Sequence, residues 1–141
     1  MKFKHIMLTM WQIDNNYSNN KCAKLLGISC KLWSGYKSGN IAPTVYTINK
    51  LAERMGICAF DLITPRPAVA CNVKKLKLKN SVLVKWQKVK GWSKKDCAEY
   101  VGISYSSWWS YSKGGKTPET LKTFDLLSAK MEIDVADLFE Q

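Results

Sequence analysis

The chain has 141 residues, enough for one ordinary domain or two very small ones. Apolar residues make up 46% and aromatics 11%, which excludes a disordered chain, and no apolar run approaches the roughly 20 residues that cross a bilayer. The formal net charge of +11, from 22 Lys and Arg against 11 Asp and Glu, points to an anionic partner such as nucleic acid or a membrane surface.

The opening stretch, Met1-Lys2-Phe3-Lys4-His5-Ile6-Met7, mixes charge with apolar residues, but Gln12, Asp14 and Asn15 interrupt it. No small-residue cleavage site comes after it, so it reads as neither signal peptide nor anchor, and the chain is expected in the cytoplasm. The five cysteines (Cys22, Cys30, Cys58, Cys71 and Cys97) form no CxxC pair, and His5 is the only histidine. That spacing supplies no zinc site, so no metal is expected, and the odd, scattered set reads as reduced thiols. Cys22 and Cys97 each precede an alanine in matching apolar contexts and are expected as small core residues.

An internal repeat organises the chain. Shifted by 75 residues, positions 8 to 43 match themselves at 13 of 36 places without a gap, two tryptophan pairs included. The matches run from Leu8/Leu83 and Trp11/Trp86 to Gly39/Gly114 and Pro43/Pro118. One inserted residue near Glu119 moves the offset to 76, after which Leu51/Leu127, Met55/Met131 and Leu62/Leu138 correspond. A period this long means duplicated domains, because solenoid repeats run about 20–50 residues.

In each copy the pattern predicts a first helix with Leu8 and Trp11 on one face, ending at Asn16 or Gly91, residues that accept the left-handed conformation. Ser18 or Ser93 then caps a second helix burying Cys22, Ala23 and Leu26, or Cys97, Ala98 and Val101. Gly27-Ile28-Ser29 recurs as Gly102-Ile103-Ser104, giving a tight turn, a core plug and a cap for a third helix. Trp33 and Tyr36, like Trp108 and Tyr111, lie three apart and should face inward. Gly39 or Gly114 ends that helix. A fourth then runs to Met55 or Met131, and a short fifth ends near Ile63 or Phe139.

Between the copies, Pro65 and Pro67 stop any helix. The organisation expected is a first domain over 1–64, a basic linker over 65–80 and a second domain over 81–141. Lys77-Leu78-Lys79 matches Lys2-Phe3-Lys4 at the repeat offset. Either each copy opens with a short strand that pairs with its counterpart, or the stretch is a solvated linker.

The run Cys22-Ala23-Lys24-Leu25-Leu26-Gly27-Ile28-Ser29, with Trp33, Gly39 and Pro43, resembles the lambda-repressor-like (Cro and phage-repressor, Xre-type) helix-turn-helix family. The resemblance covers residues 7–63 and 82–139. It implies an all-α chain of two tandem five-helix helix-turn-helix domains that bind double-stranded DNA, the third helix of each entering the major groove. The base-facing residues it implies are Cys30, Lys31, Leu32, Ser34 and Gly35 in the first copy and Tyr105, Ser106, Ser107, Trp109 and Ser110 in the second. The phosphate-facing set is Ser18, Asn19, Lys37, Ser38 and Asn40, with Ser93, Lys94, Lys113 and Lys116.

Strong base readers are Gln, Asn and Arg, and neither outward face carries one. Lys31 is the only evident reader of the first copy, while serine discriminates weakly. Tyr105 and Trp109 lie four apart on one face, as base contacts or as the anchor of a protein partner. Charge is segregated: residues 1–70 carry +6, 71–80 +4, 81–118 +5 and 119–141 −4. Positive charge thus lies on the helix-turn-helix half of both copies.

The expected function is a sequence-specific transcription regulator of phage or bacterial type, a repressor that occludes its promoter, with two non-identical reading heads. The family's usual dimerisation leaves a homodimer open. Two other readings stay open: an architectural or recombination-accessory DNA-binding protein, and a protein-interaction module (antirepressor or polymerase-binding) using Tyr105 and Trp109. No nucleophile–base pairing is visible, so neither an enzyme nor a cofactor is expected.

Overall fold

Four serines and two threonines open six of the helices. The side-chain oxygens of Ser18, Ser29, Thr44, Ser93, Ser104 and Thr120 each accept a backbone N–H from the first turn of the helix they precede. A computed structural model describes residues 1–70 and 72–141, so Cys71 lies outside the described residues. The fold is mainly α-helical, and the described residues divide into two compact units, Met1–Arg66 and Pro67–Gln141.

The first unit contains β1 (Lys2–Phe3), α1 (Ile6–Asn15), α2 (Asn19–Leu26), α3 (Cys30–Ser38), α4 (Val45–Met55), a 3-10 turn at Ala59–Leu62 and β2 (Ile63–Thr64). Asn16 takes the left-handed conformation after α1, as the sequence predicts. Gly27, at φ +68°, turns the chain between α2 and α3, and Ser29 restarts it at once. Leu8, Cys22, Leu26, Trp33, Ile48, Leu51 and Phe60 are fully buried. Trp11 closes one side of this core, edge-on to Trp33 at 6.2 Å and to Tyr17 at 5.5 Å.

The second unit repeats the plan with α5 (Asn80–Lys90), α6 (Lys94–Val101), α7 (Tyr105–Lys113), α8 (Leu121–Met131) and a 3-10 turn at Val135–Leu138. Its buried residues include Leu83, Cys97, Val101, Trp108, Phe124, Leu127 and Phe139. Phe124 and Phe139 stack with ring centroids 4.6 Å apart. Trp86 sits among Trp92, Tyr100 and Trp108, at 5.8 to 6.1 Å.

Three expectations change. The short fifth helix of each copy is a single 3-10 turn. Ile28 and Ile103 are half-buried rather than core plugs. The stretch expected as a linker belongs largely to the second unit: Val73, Leu76 and Leu78 are buried. Leu78 bridges antiparallel to Phe139, while Lys79 N–H donates to Leu138 O at 2.7 Å and Glu140 N–H to Lys77 O at 2.8 Å. In the first unit β1 pairs with β2, Lys2 opposite Thr64 and Phe3 opposite Ile63. Each opening segment thus pairs with the end of its own unit, not with its counterpart. The reason is local, since pairing there satisfies backbone groups beside the buried Ile63 and Phe139.

No helix among the described residues is long and apolar enough to cross a membrane. Cys22 and Cys97 are buried free thiols, as their apolar contexts suggested. Burial pushes both thiols above their usual range, with Lys37 opposing at Cys22 and Asp96 adding at Cys97. Tyr111 is raised by burial first and then by Glu119, with Ser107 partly offsetting them. A raised acid favours its protonated form when folded, so the stability it contributes is complete below the unfolded pKa and lost as pH rises through the folded one. Thermal melts should therefore show Tm falling as pH passes about 8.5, and Cys97→Ala should flatten that fall. An unchanged slope in the variant would remove Cys97 from the effect.

Candidate nucleic-acid interface

In the first unit α2 packs against α3 across the Gly27 turn, which leaves the N-terminal half of α3 outward. Cys30, Lys31, Leu32 and Ser34 are exposed there. Gly35 is not. It is buried under Ile41, and a Cβ built on it would collide with Ile41 Cδ1. It is therefore a packing glycine and leaves the expected base-facing set. Ile41 returns over α3 through its N–H, which donates to Gly35 O at 3.1 Å. The Cys30 thiol donates to Asn20 Oδ1 at 2.9 Å, bringing Asn20, which sequence reasoning missed, to the same edge.

A polar network joins the starts of α2 and α3 to α1. Gln12 Nε2 donates to Tyr17 O and to Asn19 Oδ1, both at 3.0 Å. Trp33 Nε1 donates to Asn19 Oδ1 at 3.2 Å. Lys37 Nζ donates to Gln12 Oε1 and Asn19 Oδ1, both at 2.9 Å. Two amide oxygens thus hold one half-buried ammonium beside the N-terminus of α2. Asn19, expected to meet phosphate, is the hub of this network. Gln12 was not expected at the site, although the repeat matches it to Gln87. Ser18 spends its hydroxyl on the α2 cap. Ser38 Oγ donates to Gly35 O at 3.2 Å, and Asn40 is exposed.

The second unit solves the same junction differently. Lys94 stands where the first unit has Asn19, and Ser112 where it has Lys37. An ammonium accepts no hydrogen bond, so the Trp108 indole N–H turns to Gln87 Oε1 at 3.1 Å. Gln87 Nε2 in turn donates to Trp92 O at 3.2 Å. Tyr105, Ser106 and Trp109 are exposed on α7. Ser107 and Ser110 are half-buried, and Ser107 is drawn into the α7 cap, where Ser104 Oγ donates to it at 2.8 Å. Ser107 is thus half-buried with its hydroxyl engaged in the cap. Ser93 caps α6, and Lys113 and Lys116 are exposed beyond.

Trp109 is 40% exposed and lies between two lysines. Lys113 Nζ is 4.3 Å from its ring centroid and Lys94 Nζ 5.7 Å. The same two lysines line an open recess of about 360 Å³, together with Val84, Gln87, Lys88, Trp92 and Ser112 among others.

Comparison with protein-family models, with curated proteins and with solved structures returned no match for this chain.

Proposed function

We propose that the chain is a double-stranded DNA-binding regulator built from two tandem helix-turn-helix domains of lambda-repressor type, with α3 and α7 as its reading helices. The observation that carries this reading is the junction repeated in both units: capped helix, glycine turn, serine-capped helix, with a lysine held by amide oxygens in the first unit and against Trp109 in the second. Lysines at such a junction neutralise phosphates, and the exposed start of the third helix meets base edges. Two unlike heads in one chain imply an asymmetric site, and linkage raises the effective concentration of the second head once the first has bound. Promoter occlusion by such a chain is repression.

With Gly35 buried and the Ser107 hydroxyl engaged in a helix cap, Lys31 is the one long polar side chain aimed at bases in either unit. That scarcity favours a second reading, an architectural protein of low sequence preference. Selecting bound duplexes from random genomic fragments separates the two. One enriched asymmetric motif supports the regulator, and salt-sensitive binding with no motif supports the architectural role. In the same selection, Lys31→Ala should relax preference at one position; a uniform loss across all sequences would move Lys31 to phosphate contact.

A further inference from the structure

We propose that Trp109 is a positioning residue, its indole holding Lys94 and Lys113 at the mouth of a phosphate-binding recess, so that the second unit grips DNA by its backbone. The inference rests on the DNA-binding reading above and assigns the chemistry of one of its faces. Lys94 opens α6 and Lys113 ends α7, yet both ammonium groups lie within 6 Å of the centroid of one indole ring. An aromatic face attracts such cations, and lysine stems lie readily along apolar surface while the charge stays in water. Lys88 joins them around the recess, with the Ser112 side chain, and the positive end of the α6 dipole lies beside it. Three lysines around one recess favour an anionic ligand there.

Two other roles for the indole fit less well. An aromatic anchor for a protein enters a dry pocket, and here that would strip water from two ammonium groups beside the ring. As a base reader the indole offers one donor and no acceptor, which specifies little. The comparison between units points the same way. At the positions of Trp109, Lys113 and Lys94 the first unit has Ser34, Ser38 and Asn19, and there two amide oxygens steady the ammonium of Lys37. Each unit keeps a restrained cation at this junction, through amides in one and an aromatic plate in the other.

The test is the full chain titrated with one duplex fragment across 50–200 mM salt. Trp109→Ala should weaken binding roughly tenfold and make the log–log salt slope shallower by about 1 to 2, since each phosphate contact contributes about 0.9. Trp109→Phe keeps a ring face and should stay within about threefold of the wild type. Lys113→Ala should cost much less on the Trp109→Ala background than alone, because the two act as one unit. Unchanged affinity and slope in Trp109→Ala, or an altered sequence preference, overturns the proposal while leaving DNA binding intact. Absence of duplex binding by the wild-type chain sinks the DNA reading itself. The Phe variant and the lysine cycle keep the proposal falsifiable if Trp109→Ala fails to fold.

Discussion

Trp33→Ala is expected to destabilise the first unit by about 4 kcal/mol, the usual cost of emptying a buried tryptophan site. The indole is fully buried, meets Trp11 edge-on, and donates its N–H to Asn19. Three losses therefore coincide: the apolar burial, the ring contact and the donor that steadies the α2 start. A unit of this size has a total stability of the same order, roughly 5 kcal/mol, so most of it would be consumed. Amide hydrogen exchange within Met1–Arg66 should report the loss residue by residue. Trp33→Phe keeps a ring in the core and should cost less than the alanine variant, since it removes the N–H bond, at about 1 kcal/mol, and only part of the buried volume. A cost below about 1 kcal/mol for the alanine variant would contradict the core assignment.

The second large effect concerns binding. Combining Lys31→Glu with Lys37→Gln should lower duplex affinity at least about 100-fold while helix content, followed by circular dichroism, stays the same. Lys31 is exposed on the face proposed to read DNA, so reversing its charge would set a carboxylate against phosphates. Lys37 supplies the restrained ammonium, and glutamine preserves a donor toward Asn19 and Gln12 without the charge. Beyond these direct terms, silencing one head removes the effective-concentration advantage of linkage, worth about 10²–10⁴. A fall of less than about threefold would mean that the first unit is not a DNA-binding head.

Much of the local architecture is legible in the residues themselves. Ser18, Ser29, Ser93 and Ser104 cap helices where a short hydroxyl precedes an apolar-periodic run, and Trp33 and Trp108 are buried where helical spacing puts them. Caps and periodicity are properties of neighbours in sequence, so they survive without a structure. What escapes depends on chain returning from elsewhere. Gly35 looks outward on a helical wheel, but Ile41, beyond the end of α3, folds back over it. Leu78 looks like linker until Phe139 arrives from the far end of its unit.

The candidate site shows the same division. Lys31, Ser34, Tyr105 and Trp109 stand exposed where the repeat places them. The Gln12–Asn19–Lys37 network takes one residue from each of three helices, and the exchange of roles between Lys37 and Lys94 is visible only once both junctions are compared in space. A residue's outward position derives from its helix. Its hydrogen-bond partner does not.

The most direct measurement of whether these two units are DNA-binding heads is the salt dependence of duplex affinity for the intact chain, tracked by fluorescence anisotropy from 50 to 200 mM salt. Lys37, Lys94, Lys113 and Lys116 acting on the backbone predict a log–log slope of about −3 to −4, at roughly 0.9 per neutralised phosphate. No binding at 50 mM salt, or a slope near zero, would contradict the account.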